Sequence, residues 1–128
     1  MTAAAAGGRA LQMARAGYAG ALLRQPAGAI RMATGRLPSR RAYRVARLLG
    51  ARHLAQATLT TLVPLPGVFV AGAGVDALHA VSMVMLAAAD NTARRAALTD
   101  AAVEAAFAAT GLAVVGSCGG PPARRARA

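Results

Sequence analysis

The stretch Gly67-Val-Phe-Val-Ala-Gly-Ala-Gly-Val-Asp76-Ala-Leu-His79-Ala-Val-Ser-Met-Val-Met-Leu-Ala-Ala-Ala89 decides the fold class. It runs for 23 residues with Asp76 and His79 as its only ionisable groups. At about 1.5 Å per residue, a helix of this length matches a hydrocarbon core of about 30 Å. On its N-terminal side lies the charge-free turn Pro64-Leu65-Pro66-Gly67. The polar loop Asp90-Asn91-Thr92-Ala93-Arg94-Arg95 follows it, with Thr92 placed to cap the next helix.

Two further helices flank this stretch. Downstream, residues 93–116 are uncharged apart from Arg94, Arg95, Asp100 and Glu104, and Gly119-Gly120-Pro121-Pro122 ends them. Upstream, Leu37-Pro38-Ser39 reads as a turn with Ser39 as N-cap, opening a helix over 40–63. The first half of that helix carries Arg40, Arg41, Arg44 and Arg47. Its second half is apolar apart from Gln56 and three threonines. The expected fold is all-α: three antiparallel transmembrane helices, about 40–63, 67–89 and 93–116, forming a membrane bundle within 37–117.

Residues 1–36 read as a basic amphipathic segment lying in the membrane interface. Leu11, Tyr18 and Leu22 share one face of a helix, and Arg9 and Arg24 fall opposite. Arg15 lies close to the apolar stripe and is expected to snorkel. Pro26 interrupts, a short helix resumes, and Gly35 ends it. No uninterrupted apolar run of about 20 residues occurs here, so the segment is not expected to span. Arg15 and Arg24 also break any secretory signal core. Residues 118–128 read as a flexible basic tail.

Charge layout narrows the class. The net charge is +11, and all 15 basic residues are arginine. Ten of them precede residue 53, and no acid occurs before Asp76. Basic clusters separated by long uncharged stretches suit a membrane protein with anionic headgroups at its flanks. A nucleic-acid-coating domain would spread its charge and interleave aromatics, so nucleic acid is not expected as a partner. The positive-inside rule places the N-terminus and the Arg94-Arg95 loop in the cytoplasm and the Pro64 turn outside, for a multi-pass protein of the cell membrane.

Acids inside apolar helices are costly unless paired. Folding 40–63 onto 67–89 about the Pro64 turn sets Arg52 opposite His79 and Ala55 opposite Asp76. Gln56 shares the side of Arg52, and the second hairpin brings Glu104 within a turn of His79. Arg52, Gln56, Asp76, His79 and Glu104 therefore form a candidate intramembrane polar layer. Its bland reading is helix-to-helix glue; its sharper one is a proton or ion relay. Asp100 is expected at the cytoplasmic interface beside Arg94 and Arg95, and His53 is expected to face elsewhere. The two histidines make no recognisable zinc motif, so neither a metal nor a cofactor is expected.

Gly67, Ala71, Gly72 and Gly74, and separately Ala46 and Gly50, form small-residue patches suited to close helix packing. Ser39-Arg40-Arg41-Ala42-Tyr43 imitates a twin-arginine export signal but lies too late in the chain. Cys118 is the only cysteine and sits among glycines, the setting of an incidental thiol.

The segments Gly50-Ala51-Arg52-His53, Val75-Asp76-Ala77-Leu78-His79 and Arg94-Arg95-Ala96-Ala97-Leu98 together resemble a set of small integral-membrane proteins of actinobacteria. The likeness covers roughly residues 20–116 and implies membrane location; it implies no activity. The expected role is a non-enzymatic structural or partner-binding membrane component, with lipid and a second copy or another membrane protein as company. An oligomeric proton-coupled conduit is the alternative, and a soluble basic nucleic-acid-binding protein is the third reading.

Overall fold

In the computed structural model, which describes residues 3–118, the chain is all-α. Its helices are α1 (Ala3–Arg24), α2 (Pro26–Thr34), α3 (Arg40–Leu62), α4 (Pro66–Ala89) and α5 (Arg94–Cys118). The expected basic tail lies outside the described residues, apart from the helical end of α5.

Local chemistry sets most boundaries. Pro26 opens α2, where its missing N–H costs nothing. Gly35 closes α2 in the left-handed region at φ 71°, and its N–H donates to the Arg31 carbonyl. The Ser39 hydroxyl accepts from the Ala42 N–H at 3.1 Å and caps α3 as expected. Asp90 takes over the capping role expected of Thr92: its Oδ1 accepts from the backbone N–H of Thr92 and Ala93 and from the Thr92 hydroxyl. Those donors hold the exposed Asp90 carboxyl below the usual carboxylate range, with the Thr92 hydroxyl contributing most.

Of the two expected hairpins, α4 on α5 forms and α3 on α4 does not. The main partner of α3 is α1, and that of α4 is α5; α1 against α5 joins the two pairs. Although a short turn connects α3 to α4, they touch sparsely. The expectation that α1 lies apart in the interface does not describe this packing. Its stripe Gly8, Leu11, Arg15, Ala19 and Leu22 is buried in the bundle.

Each long helix buries a seam with the alternating three-and-four spacing of a coiled coil. The α3 seam is Ala46, Gly50, His53, Ala57 and Thr60. In α4 it is Ala73, Asp76, Ala80 and Ala87; in α5 it includes Ala97, Ala101, Glu104, Ala108 and Gly111. Small residues let the backbones approach closely. A Cβ added at Gly50 would lie 3.0 Å from Leu22 Cβ and 3.1 Å from the Ala19 carbonyl oxygen, so the Ala46–Gly50 patch is a true α1–α3 contact. The α4 patch is used less: Gly67 and Gly74 face open space.

These registers give the bundle two unlike ends. Gly8 and Gly111 both approach Phe69, beside the Pro64 turn. Gly35 approaches the Arg95 side chain at the other end. Arg24, Arg31, Arg36, Arg40, Arg41, Arg44, Arg47, Arg94 and Arg95 gather there, all exposed.

Candidate functional site: a buried ionic layer

Each of the four seams carries one large polar residue: Arg15, His53, Asp76 and Glu104. The helix registers bring them to one level near mid-bundle. His53, Asp76 and Glu104 are each 0% exposed and Arg15 is 4% exposed. Burial of that depth demands partners, and the layer supplies them.

Arg15 Nη2 donates to Asp76 Oδ2 at 2.6 Å, joining α1 to α4. Arg52 Nη2 donates to Glu104 Oε2 at 2.5 Å and lies 3.4 Å from Asp76 Oδ1, so α3 reaches both α5 and α4. Gln56 Nε2 donates to Asp76 Oδ1 at 3.2 Å and to the Gly72 carbonyl at 3.1 Å. His53 Nε2 lies 2.8 Å from Glu104 Oε1. At one edge, His79 Nε2 lies 2.9 Å from Asp100 Oδ2, and the Tyr18 hydroxyl donates to Asp100 Oδ1 at 3.3 Å. Aromatic rings close the layer. Tyr18 and Phe107 stand 5.2 Å and 5.3 Å from the His53 ring, and Arg15 lies over Phe107 at 4.8 Å.

Of the residues expected in the layer, Arg52, Gln56, Asp76 and Glu104 touch one another directly. His79 joins through Asp100, not by facing Arg52, because α3 pairs with α1 and reaches α4 only through long side chains. Three expectations are corrected. Arg15 does not snorkel; it is buried on Asp76. Asp100 is not partnered by Arg94 or Arg95; it binds His79 and Tyr18. His53 does not face elsewhere; it is sealed against Glu104. Arg15, Tyr18, His53 and Asp100 are the members that sequence reasoning missed. The seam spacing was the available signal: Arg15 falls four residues after Leu11, and His53 three after Gly50.

Two sets have the composition of metal ligands. His53, Asp76 and Glu104 bring one ligand atom each to within 4.8 Å of one another, as do His79, Asp100 and Glu104. In the first set the guanidinium groups of Arg15 and Arg52 already occupy the cation's place.

No protein-family model matches the chain, and no curated protein or solved structure is significantly similar to it.

Proposed function

We propose that the protein is a small multi-pass integral-membrane component, non-enzymatic, whose ionic layer locks four helices in register and whose exterior meets lipid or a membrane partner. The observation that carries this reading is the inside-out character of α4. Its most apolar window has mean hydropathy 1.7, yet only 17% of that window is buried. Val70, Val75, Leu78, Val81, Val84 and Met85 all face outward. The core helix of a soluble bundle hides such residues; a helix in lipid displays them. α5 has the same character, with mean hydropathy 1.5 and 33% burial.

The layer also explains how α1 and α3 tolerate lipid. With Arg15 turned inward, α1 exposes no charge over residues 10–23, about 21 Å of helix. With His53 buried and Arg52 turned toward the layer on Asp76 and Glu104, 26% of its side chain exposed, α3 carries no fully exposed charge over 48–63, about 24 Å. The bundle thus reads as four antiparallel crossings, not three preceded by an interfacial helix. The arginine-rich end faces the cytoplasm and its anionic headgroups. The start of α1, lying at the Pro64 end, is then on the outer side, in place of a cytoplasmic N-terminus.

A proton-coupled conduit is the second reading. What favours it is a largely apolar cleft of about 980 Å³ between α1 and α3, running from the Pro64 end to Ala16, the neighbour of Arg15.

Alkaline carbonate washing of bacterial membranes tests the first reading. Retention in the pellet with release by detergent is expected. Release into the wash would remove the membrane assignment and put a soluble basic bundle in its place. Flux across proteoliposomes tests the second: a pH-dependent flux that Asp76→Asn abolishes is its signature, and no flux above empty vesicles would dismiss it.

A further inference from the structure

The two ends of α1 lean on different helices. Toward its C-terminal end, Gly50 of α3 lies close against Leu22 and the Ala19 carbonyl. Toward its N-terminal end, Gly8 packs instead on Phe69 of α4 and Val114 of α5, which a Cβ there would meet at 3.4 and 3.7 Å. α1 and α3 therefore diverge at the Pro64 end, and the cleft of about 980 Å³ opens between them with Phe69 and Val114 in its lining.

The cleft has the depth of one leaflet. Along α1 it runs from Ala5 to Ala16, about 16 Å of helix, or roughly half of a hydrocarbon core of about 30 Å. Its α3 wall is less polar than its sequence. The hydroxyls of Thr58, Thr60 and Thr61 are spent on the carbonyls of Leu54, Gln56 and Ala57 in their own helix.

Two polar side chains of α1 remain, Arg9 and Gln12. Among the described residues, Arg9 is the one arginine outside both the ionic layer and the arginine-rich end. It is exposed and has no ion pair there. Helical side chains tilt toward the N-terminus, so Arg9 reaches outward to headgroup level. Gln12 lies one turn deeper, and its buried amide oxygen has no hydrogen-bond partner among the described residues.

We propose, on the strength of the membrane reading above, that this cleft holds one acyl chain of an anionic phospholipid of the outer leaflet, with the headgroup phosphate on Arg9. A long apolar cleft beneath an uncompensated guanidinium matches an amphiphile with an apolar tail and a phosphate head. The Gln12 amide then stands at the level of the glycerol esters, whose carbonyls accept from its NH₂ group. A second copy of the chain fits less well, because it has no side-chain carboxylate to offer Arg9. Three of the four acids are engaged in the layer, and Asp90 lies at the opposite end. A seated acyl chain also excludes water, so the cleft is a lipid site and not a water path.

Photolabelling of the full chain in phosphatidylcholine vesicles tests this. The probe is phosphatidylglycerol or phosphatidylcholine with a diazirine near the end of one acyl chain. Labels are compared at Leu54, which lines the cleft, and at Leu78, which faces outward from α4 at similar depth. At Leu54 the phosphatidylglycerol probe should be favoured about fivefold, the worth of one arginine near an anionic headgroup. At Leu78 neither probe should be favoured. Arg9→Gln should erase the preference and Arg9→Lys retain part of it. Thr61→Trp, at an exposed position lining the cleft, should remove the Leu54 label. Equal labelling by both probes at Leu54, or label at Leu78 alone, would overturn the lipid site and leave the membrane reading standing. Absence of label at Leu78 as well would bring down both. A lipid-free dimer in native mass spectrometry, with Leu54 unlabelled, would overturn the lipid site in favour of a second copy.

Discussion

Arg15 and Asp76 stand 61 positions apart in the chain and 2.6 Å apart in the fold, both buried. The pair ties the N-terminal helix to the most apolar helix of the molecule. It turns two residues that would each be costly in an apolar helix into a cross-brace, and the rest of the layer is arranged around it.

Breaking this brace on one side leaves the partner buried and uncompensated. Arg15→Met and Asp76→Ala should each destabilise the bundle by about 3–5 kcal/mol. Replacing both, as Arg15→Met with Asp76→Leu, should recover most of the loss, since a well-packed apolar pair is often as stable as a buried ion pair. Thermal melts in detergent and yields from washed membranes measure it. Wild-type behaviour of Asp76→Ala would show that the layer does not fix helix register.

The α1–α3 contact depends on one missing methyl group. At Gly50 a Cβ would crowd Leu22, Leu23 and the Ala19 carbonyl at 3.0–3.1 Å, and backbone cannot swing aside. Gly50→Ala should cost about 1–3 kcal/mol. Gly74→Ala, with nothing within 4 Å, should be neutral or gain about 0.5–1 kcal/mol from helix propensity. Equal melting temperatures for the two variants would contradict this close approach.

Orientation follows from the arginine-rich end. On a Cys118→Ser background, cysteines at Ser39 and Thr92 should react with a membrane-impermeant maleimide only after cells are opened. A cysteine at Leu65 should react in intact cells. The reverse pattern would invert the topology; labelling of all three would argue against insertion.

The turn before α5 is pH-sensitive in a known direction. Native hydrogen bonds lower the Asp90 carboxyl below its ordinary value of 3.8. Its contribution is thus complete above about pH 4 and is lost as the pH falls through the depressed native value. Asp90→Ala should lower the melting temperature at neutral pH, and the gap to the wild type should close in strong acid. A gap unchanged in acid would show that the carboxylate is not what holds the turn.

Much of the candidate site could be read from the chain. Acids inside apolar helices had to find partners, which marked Asp76 and Glu104. Depth along the helices brought Arg52 and Gln56 to their level. What failed was the choice of neighbours. Alanine is so common on every side that a buried seam and an exposed face look alike in composition. Arg15 therefore passed for a snorkelling residue, and His53 for one facing a different neighbour. Asp100 was assigned to the nearby Arg94 and Arg95, although its partners lie on α1 and α4.

The chain by itself determined the long helices, the Ser39 cap, the turns, and the concentration of arginine toward one end, because these depend on local backbone chemistry and on run length. The tertiary structure alone decided that α3 pairs with α1, that α1 belongs to the bundle, and that Asp100 is the carboxylate without an arginine. Those outcomes turn on which small-residue seams come into close contact, a competition among whole helix faces that no single segment encodes.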